Sequence, residues 1–129
     1  MTWRSHSAFN VLAFYAITKD PASFLVAAPL AWLPDGLERI FRSTHRGWSH
    51  SLLCWVLAFF GSLFLAQDVL AFLCLNGVLH VVADAFSQSG IPIFAPNGPR
   101  LALRCYSTGT LAEFLFLMLF GFIAYIISR

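Results

Sequence analysis

Three long apolar runs constrain this chain more than any other feature. Residues 51–67, 69–82 (continuing to 86) and 111–127 carry almost no charge, and each approaches the roughly 20 residues that a helix needs to cross a hydrocarbon core. Two shorter runs precede them, at 8–17 and 24–33. Each has about 10 residues, and at about 1.5 Å per residue neither spans a bilayer alone. With their flanks they form short spans or a re-entrant pair. Of the 129 residues, 59% are hydrophobic and 11% charged, which lies outside the composition of soluble globular domains. The expected fold is therefore all-α: a polytopic membrane helical bundle with three clear spans and two short N-terminal apolar helices, forming one domain over residues 1–129.

Arg4 ahead of an apolar run, with Val26-Ala27-Ala28 beyond it, imitates a secretory leader. Lys19, Asp20 and Pro21 interrupt the run, so cleavage is not expected. Cys54, Cys74 and Cys105 are odd in number, far apart and without a CxxC pair, so they read as small buried apolar residues rather than as disulfides or thiolate ligands. A net charge of +2 is too small to suggest nucleic acid as a partner. The distribution of charge is more informative. If the chain changes side at each apolar segment, Arg4, Arg39, Arg42, Arg46, Arg100 and Arg104 share one side and Lys19 and Arg129 the other. The positive-inside rule then predicts a cytoplasmic N-terminus and cytoplasmic arginine-bearing loops.

Those loops carry their own signals. Pro34-Asp35-Gly36 reads as the end of the second short segment, and 38–42 as a short amphipathic interfacial helix. Ser49 or Ser51 can cap the helix that follows. Residues 87–110, with Pro92, Pro96 and Pro99, predict a folded but irregular loop whose length suits a specific task.

The histidines are His6, His45, His50 and His80, and the acidic residues nearest the apolar runs are Asp35, Asp84 and Glu113. On the topology above, all of them converge on the cytoplasmic face. His80 and Asp84 are four residues apart and share one side of a helix. Imidazole with carboxylate suits zinc, or manganese where oxygen ligands dominate. The plain alternative is a polar pair joining two helices. However, ionisable groups in an apolar span cost a few kcal/mol and usually have partners and a function. His45 and His50 are separated by about 140° on a regular helix. Gly47 permits a bend, so His45 from the loop and His50 from the first helical turn can approach one site. Arg46 and Trp48 also read as an interfacial anchor. Asp35 can serve as a cap, Glu113 as a partner of a helix dipole and His6 as an interface residue. Together, a carboxylate bridging two ions and histidines completing their shells would generate a bound hydroxide and polarise a phosphoryl or acyl oxygen. Arg46, Arg100 and Arg104 are candidates for holding an anionic substrate.

The stretches LPDGLER, HRGWSHSLL, GVLHVVADAFSQSGIPIFAP and STGTLAE run in this order over almost the whole chain. They resemble the YdjM family of inner-membrane proteins, regarded as metal-dependent hydrolases, and His6 matches an N-terminal histidine of that pattern. A more distant likeness, to zinc-dependent phospholipase C and its nuclease relatives, implies residue roles. By that likeness His6 and Asp84 serve one ion, while Asp35, His45 or His50, His80 and Asp84 serve the other. Those enzymes carry further ligands after HxxxD, where this chain has no histidine and only Glu113 as a late acidic candidate. It also has Leu37, followed by Glu38, where nearer relatives often carry a second aspartate.

The expected function is a multi-pass inner-membrane hydrolase of a phosphoester, such as a lipid-linked one, with one or two divalent ions. Zinc is the first choice and manganese the second. The expected metal ligands are His6, Asp35, His45, His50, His80 and Asp84, with Arg46, His45 and Glu113 as catalytic candidates. The competing readings are a small transporter or proton-relay protein built on His80 and Asp84, and a regulatory membrane protein with a structural metal.

Overall fold

The computed structural model describes residues 1–41 and 47–129, and these are mostly helical. The helices are α1 (Trp3–Thr18), α2 (Phe24–Leu30), α3 (Leu33–Phe41), α4 (Leu52–Phe64), α5 (Asp68–Ala85) and α6 (Leu111–Ser128). Of these, α5 and α6, at 18 residues each, are long and apolar enough to cross a membrane. The run 51–67 yields only the 13 residues of α4, about 20 Å of helix against a core of about 30 Å. The loss is local. Ser51 caps the start, accepting from the Cys54 N–H. At the other end Leu65 closes the last turn and Ala66 takes a left-handed conformation at φ 52°, which ends the helix before Gln67.

The N-terminal segments also differ from their apolar runs. The polar prelude Arg4-Ser5-His6-Ser7 belongs to α1, because Thr2 accepts from the Ser5 N–H and starts the helix ahead of it. The helix stops at Lys19, whose left-handed backbone returns its N–H to the Tyr15 carbonyl. Pro34 does not end a segment. It lies in the first turn of α3, where a missing N–H leaves no hydrogen bond unmade. Nor does α3 turn all of its charge to water: Glu38 is buried, while Ile40 and Phe41 point outward with Arg39.

α1 is central to the packing. Phe9 and Ala13 meet Ala83 of α5 within a cluster that includes Leu79, Val82, Phe116, Leu117 and Phe120. The outer side of α6 exposes Phe114, Met118, Leu119 and Phe122, which fits a helix surrounded by hydrocarbon. α4 lies against α5 where Gly77 leaves room for the Trp55 ring. A Cβ at residue 77 would run into that ring, whose Nε1 donates to the Ser49 carbonyl. Gly77→Ala is therefore expected to destabilise the protein by about 1–3 kcal/mol, the usual effect of overpacking. Thermal unfolding in detergent measures this, and an unchanged midpoint would show that Trp55 shifts freely.

Residues 87–110 fold back over the end of α5. β1 (Ile91–Pro92) and β2 (Arg100–Leu101) pair antiparallel, with Ile91 opposite Leu101. The helix's last carbonyls, which lack intrahelical partners, are taken up here: Tyr106 Oη donates to Ala83, Ser87 Oγ to Asp84, Leu103 N to Ala85 and Cys105 N to Phe86. Ser51 Oγ donates to the Phe94 carbonyl, joining the start of α4 to the same segment. The C-terminal turn of α5, with His80 and Asp84 on it, is thereby held in place.

Candidate metal centre

Four elements deliver side chains to one end of the bundle. α1 brings His6 in its first turn, and α3 brings Asp35 and Glu38, three apart and so on neighbouring sides of that helix. The 3-10 turn Trp48–His50 brings His50, and α5 brings His80 and Asp84. His6, His50, His80 and Asp84 are all buried, whereas the Asp35 side chain is 29% exposed. Among the described residues, two groups hold ligand atoms close enough to share an ion: Asp35 with His50 and His80, and His6 with His80 and Asp84.

The first group has well-defined hydrogen-bond roles. His80 Nδ1 lies 2.5 Å from the Ala31 carbonyl, which can only accept, so this nitrogen carries the proton and Nε2 presents a lone pair. His50 Nδ1 is 2.8 Å from Glu38 Oε1, which assigns its proton in the same way. The two Nε2 atoms then face each other at 3.3 Å. Two lone pairs cannot satisfy one another. A proton or a metal ion between them can. His50 Nε2 is 3.3 Å from Asp35 Oδ1 and 3.7 Å from Asp84 Oδ2, and His80 Nε2 is 3.8 Å from Asp35 Oδ1. Ligands about 2.0–2.1 Å from a tetrahedral zinc ion lie about 3.3 Å from one another. The donor set and its spacing therefore fit a small divalent cation. Burial raises the Asp35 carboxyl pKa, but the adjacent imidazoles of His50, His80 and His6 outweigh it, holding it below the usual carboxylate value.

The second group is sparser. Asp84 directs Oδ1 to His6 Nε2 at 3.4 Å and Oδ2 toward His50, the disposition of a carboxylate shared between two positions. His6 stacks on His80 with ring centroids 3.8 Å apart, and His6 Nδ1 is buried with no hydrogen-bond partner. The Met1 ammonium also contacts Asp84 Oδ1, at 2.8 Å. Both nitrogens of His80 serve the first group, so a second ion here would depend on His6 and Asp84.

The remaining candidates are distributed as follows. His45 and Arg46 lie outside the described residues. Glu113 is not brought into either group: Oε1 accepts from the Thr2 N–H at 2.8 Å and Oε2 from the Gly109 N–H at 2.6 Å, fastening the start of α1 to α6. Arg100 and Arg104 are exposed on the segment after α5.

Four contributors were given no site role from the sequence. Glu38 holds His50 and also accepts from Ser49 Oγ at 3.0 Å; its spacing of three from Asp35 was the available signal. Asn10 and Asn76 are both buried, with Asn10 Nδ2 donating to Asn76 Oδ1 at 3.2 Å. Asn10 follows His6 by four and Asn76 precedes His80 by four, so each continues a ligand stripe by one helical turn. The Ala31 carbonyl has no sequence signature.

No curated protein and no solved structure matches the chain. The model of the YdjM inner membrane protein family matches residues 1–129, and with two helices fit to span a bilayer and a buried His/Asp cluster, the protein belongs to that family.

Proposed function

We propose that the protein is a multi-pass membrane hydrolase of a phosphoester, using a divalent metal ion held by Asp35, His50 and His80, with Asp84 beside them and zinc the first choice. The carrying observation is the facing pair of His50 and His80 Nε2 atoms, 3.3 Å apart with their other nitrogens already committed. Partial exposure of Asp35 supports catalysis over a structural role: the cluster is closed on the His50, His80 and Asp84 sides and open on one. A structural zinc site closes all four positions. A bound divalent ion would supply Lewis acidity toward a phosphoryl oxygen and acidify a water molecule. The chain does the rest. Glu38 and Ala31 fix which nitrogen of His50 and His80 carries a proton, and both rings keep their orientation through those bonds. Asp35, on the open side, orients the attacking water and can accept its proton. Burial of the other ligands keeps bulk water off them.

The cytoplasmic face is the proposed location. Arg4, Arg39, Arg100 and Arg104 belong to the segments at the cluster end, while Lys19 and Arg129 follow helices that run away from it. A proton relay is the weaker reading. Beyond His6 and His80 the buried polar line continues to Asn10 and Asn76, which do not titrate.

Hydrolysis of a soluble aryl phosphodiester by purified protein tests the proposal. Activity should vanish on chelation and return with zinc or manganese. Indifference to chelation, or no turnover by fully metal-loaded protein, would overturn it.

A further inference from the structure

A groove of about 480 Å³ opens beside the cluster, within the size range of small-ligand sites. Leu37 and Phe41 of α3 form one wall, Cys54, Trp55 and Ala58 of α4 the other, and Trp48 closes the side between them. The polar residue of the lining is Ser49, whose hydroxyl sits 3.0 Å from Glu38 Oε1 and 3.3 Å from His50 Nδ1. Among the described residues this lining disfavours nucleotides, sugars and charged peptides, because it offers little beyond Ser49 to compensate for their desolvation.

We propose that this groove seats a hydrocarbon chain of a membrane lipid and that the phosphoester of the same lipid is the substrate of the cluster. The second part rests on the hydrolase reading above, and the first stands without it. Direction supports the assignment. α4 starts at the cluster, and from Cys54 to Ala58 the wall advances four residues, about 6 Å along the helix and away from the site. The groove is therefore polar at the end near Glu38 and His50 and apolar beyond. That polarity is the polarity of an amphiphile. Leu57 and Phe60, beside this wall on α4, are exposed, so the groove continues a surface that already faces hydrocarbon in a bilayer.

The test uses the full chain in nanodiscs containing a phospholipid with a photoactivatable diazirine at the end of one acyl chain. Mass spectrometry locates the adducts, and the outer face of α6 serves as the measure of bulk-lipid labelling. Labelling of the Phe41, Trp48 and Cys54 peptides should exceed that of α6 and fall about tenfold in Ala58→Trp, the change expected for displacing a bound chain from the groove. Cys54→Leu, a smaller insertion, should give a smaller decrease, and α6 labelling checks that either variant is folded. Groove labelling equal to that of α6, or unmoved by both variants, would overturn the proposal. Cross-links between copies of the chain through these residues would do the same, assigning the groove to a protein partner. Turnover separates the two readings. With Ala58→Trp, KM should rise about tenfold more for a long-chain phosphodiester than for the soluble aryl diester. Equal effects on both would remove the lipid as substrate, whereas absence of any hydrolysis would remove the hydrolase reading and leave the labelling to decide the groove.

Discussion

His80→Ala protein is expected to purify without the proposed metal ion and without the proposed metal-dependent hydrolysis. The imidazole faces His50 Nε2 and Asp35 Oδ1 through its own Nε2 and is anchored by Nδ1 to the Ala31 carbonyl. Removing it takes away one of the two imidazole donors and one half of the facing Nε2 pair. Affinity should fall by more than the 10–100-fold typical of losing a residue behind the ligands. The freed Ala31 carbonyl adds about 1–3 kcal/mol of destabilisation, so helical content by circular dichroism must accompany the metal assay. A folded variant with full metal content would place the ion elsewhere.

Glu38→Gln should lower metal affinity by about 10–100-fold while every proposed ligand remains. Glu38 Oε1 lies 2.8 Å from His50 Nδ1 and also receives the Ser49 hydroxyl and the Gly47 N–H. As a carboxylate it holds the His50 proton on Nδ1 and makes Nε2 a stronger donor to metal. An amide keeps the shape and loses the charge. Competition against a chromophoric chelator reads the difference. If affinity is unchanged, Glu38 serves only to fasten the turn at Trp48–His50.

The helical class of the fold was legible because apolar runs of this length have few alternatives in a membrane. The extent of each helix was not. α4 ends early through the backbone conformation of Ala66, and α1 begins early through the Thr2 cap; neither changes the hydropathy pattern. Residues 38–42 carried an amphipathic signal, yet Glu38 points inward because His50 needs it, and Ile40 and Phe41 face out. A charge is read as water-facing unless its partner is known, and that partner lies twelve residues away. Within the candidate site, the common face of His80 and Asp84 follows from helical periodicity alone. The approach of His50, Asp35 and His6 to that face depends on how α1, α3 and the 3-10 turn pack, which local spacing does not encode. Residues 87–110 showed their irregularity through proline, but not the hydrogen bonds by which they complete the end of α5.

The most direct test is elemental analysis of the purified protein combined with X-ray absorption at the metal edge. One tightly held divalent ion is expected, with nitrogen and oxygen ligands at about 2.0–2.2 Å including two imidazoles, and loss of that signal in His50→Ala and His80→Ala alike. A protein that holds no stoichiometric metal after loading, or whose ion survives loss of both histidines, would contradict this expectation.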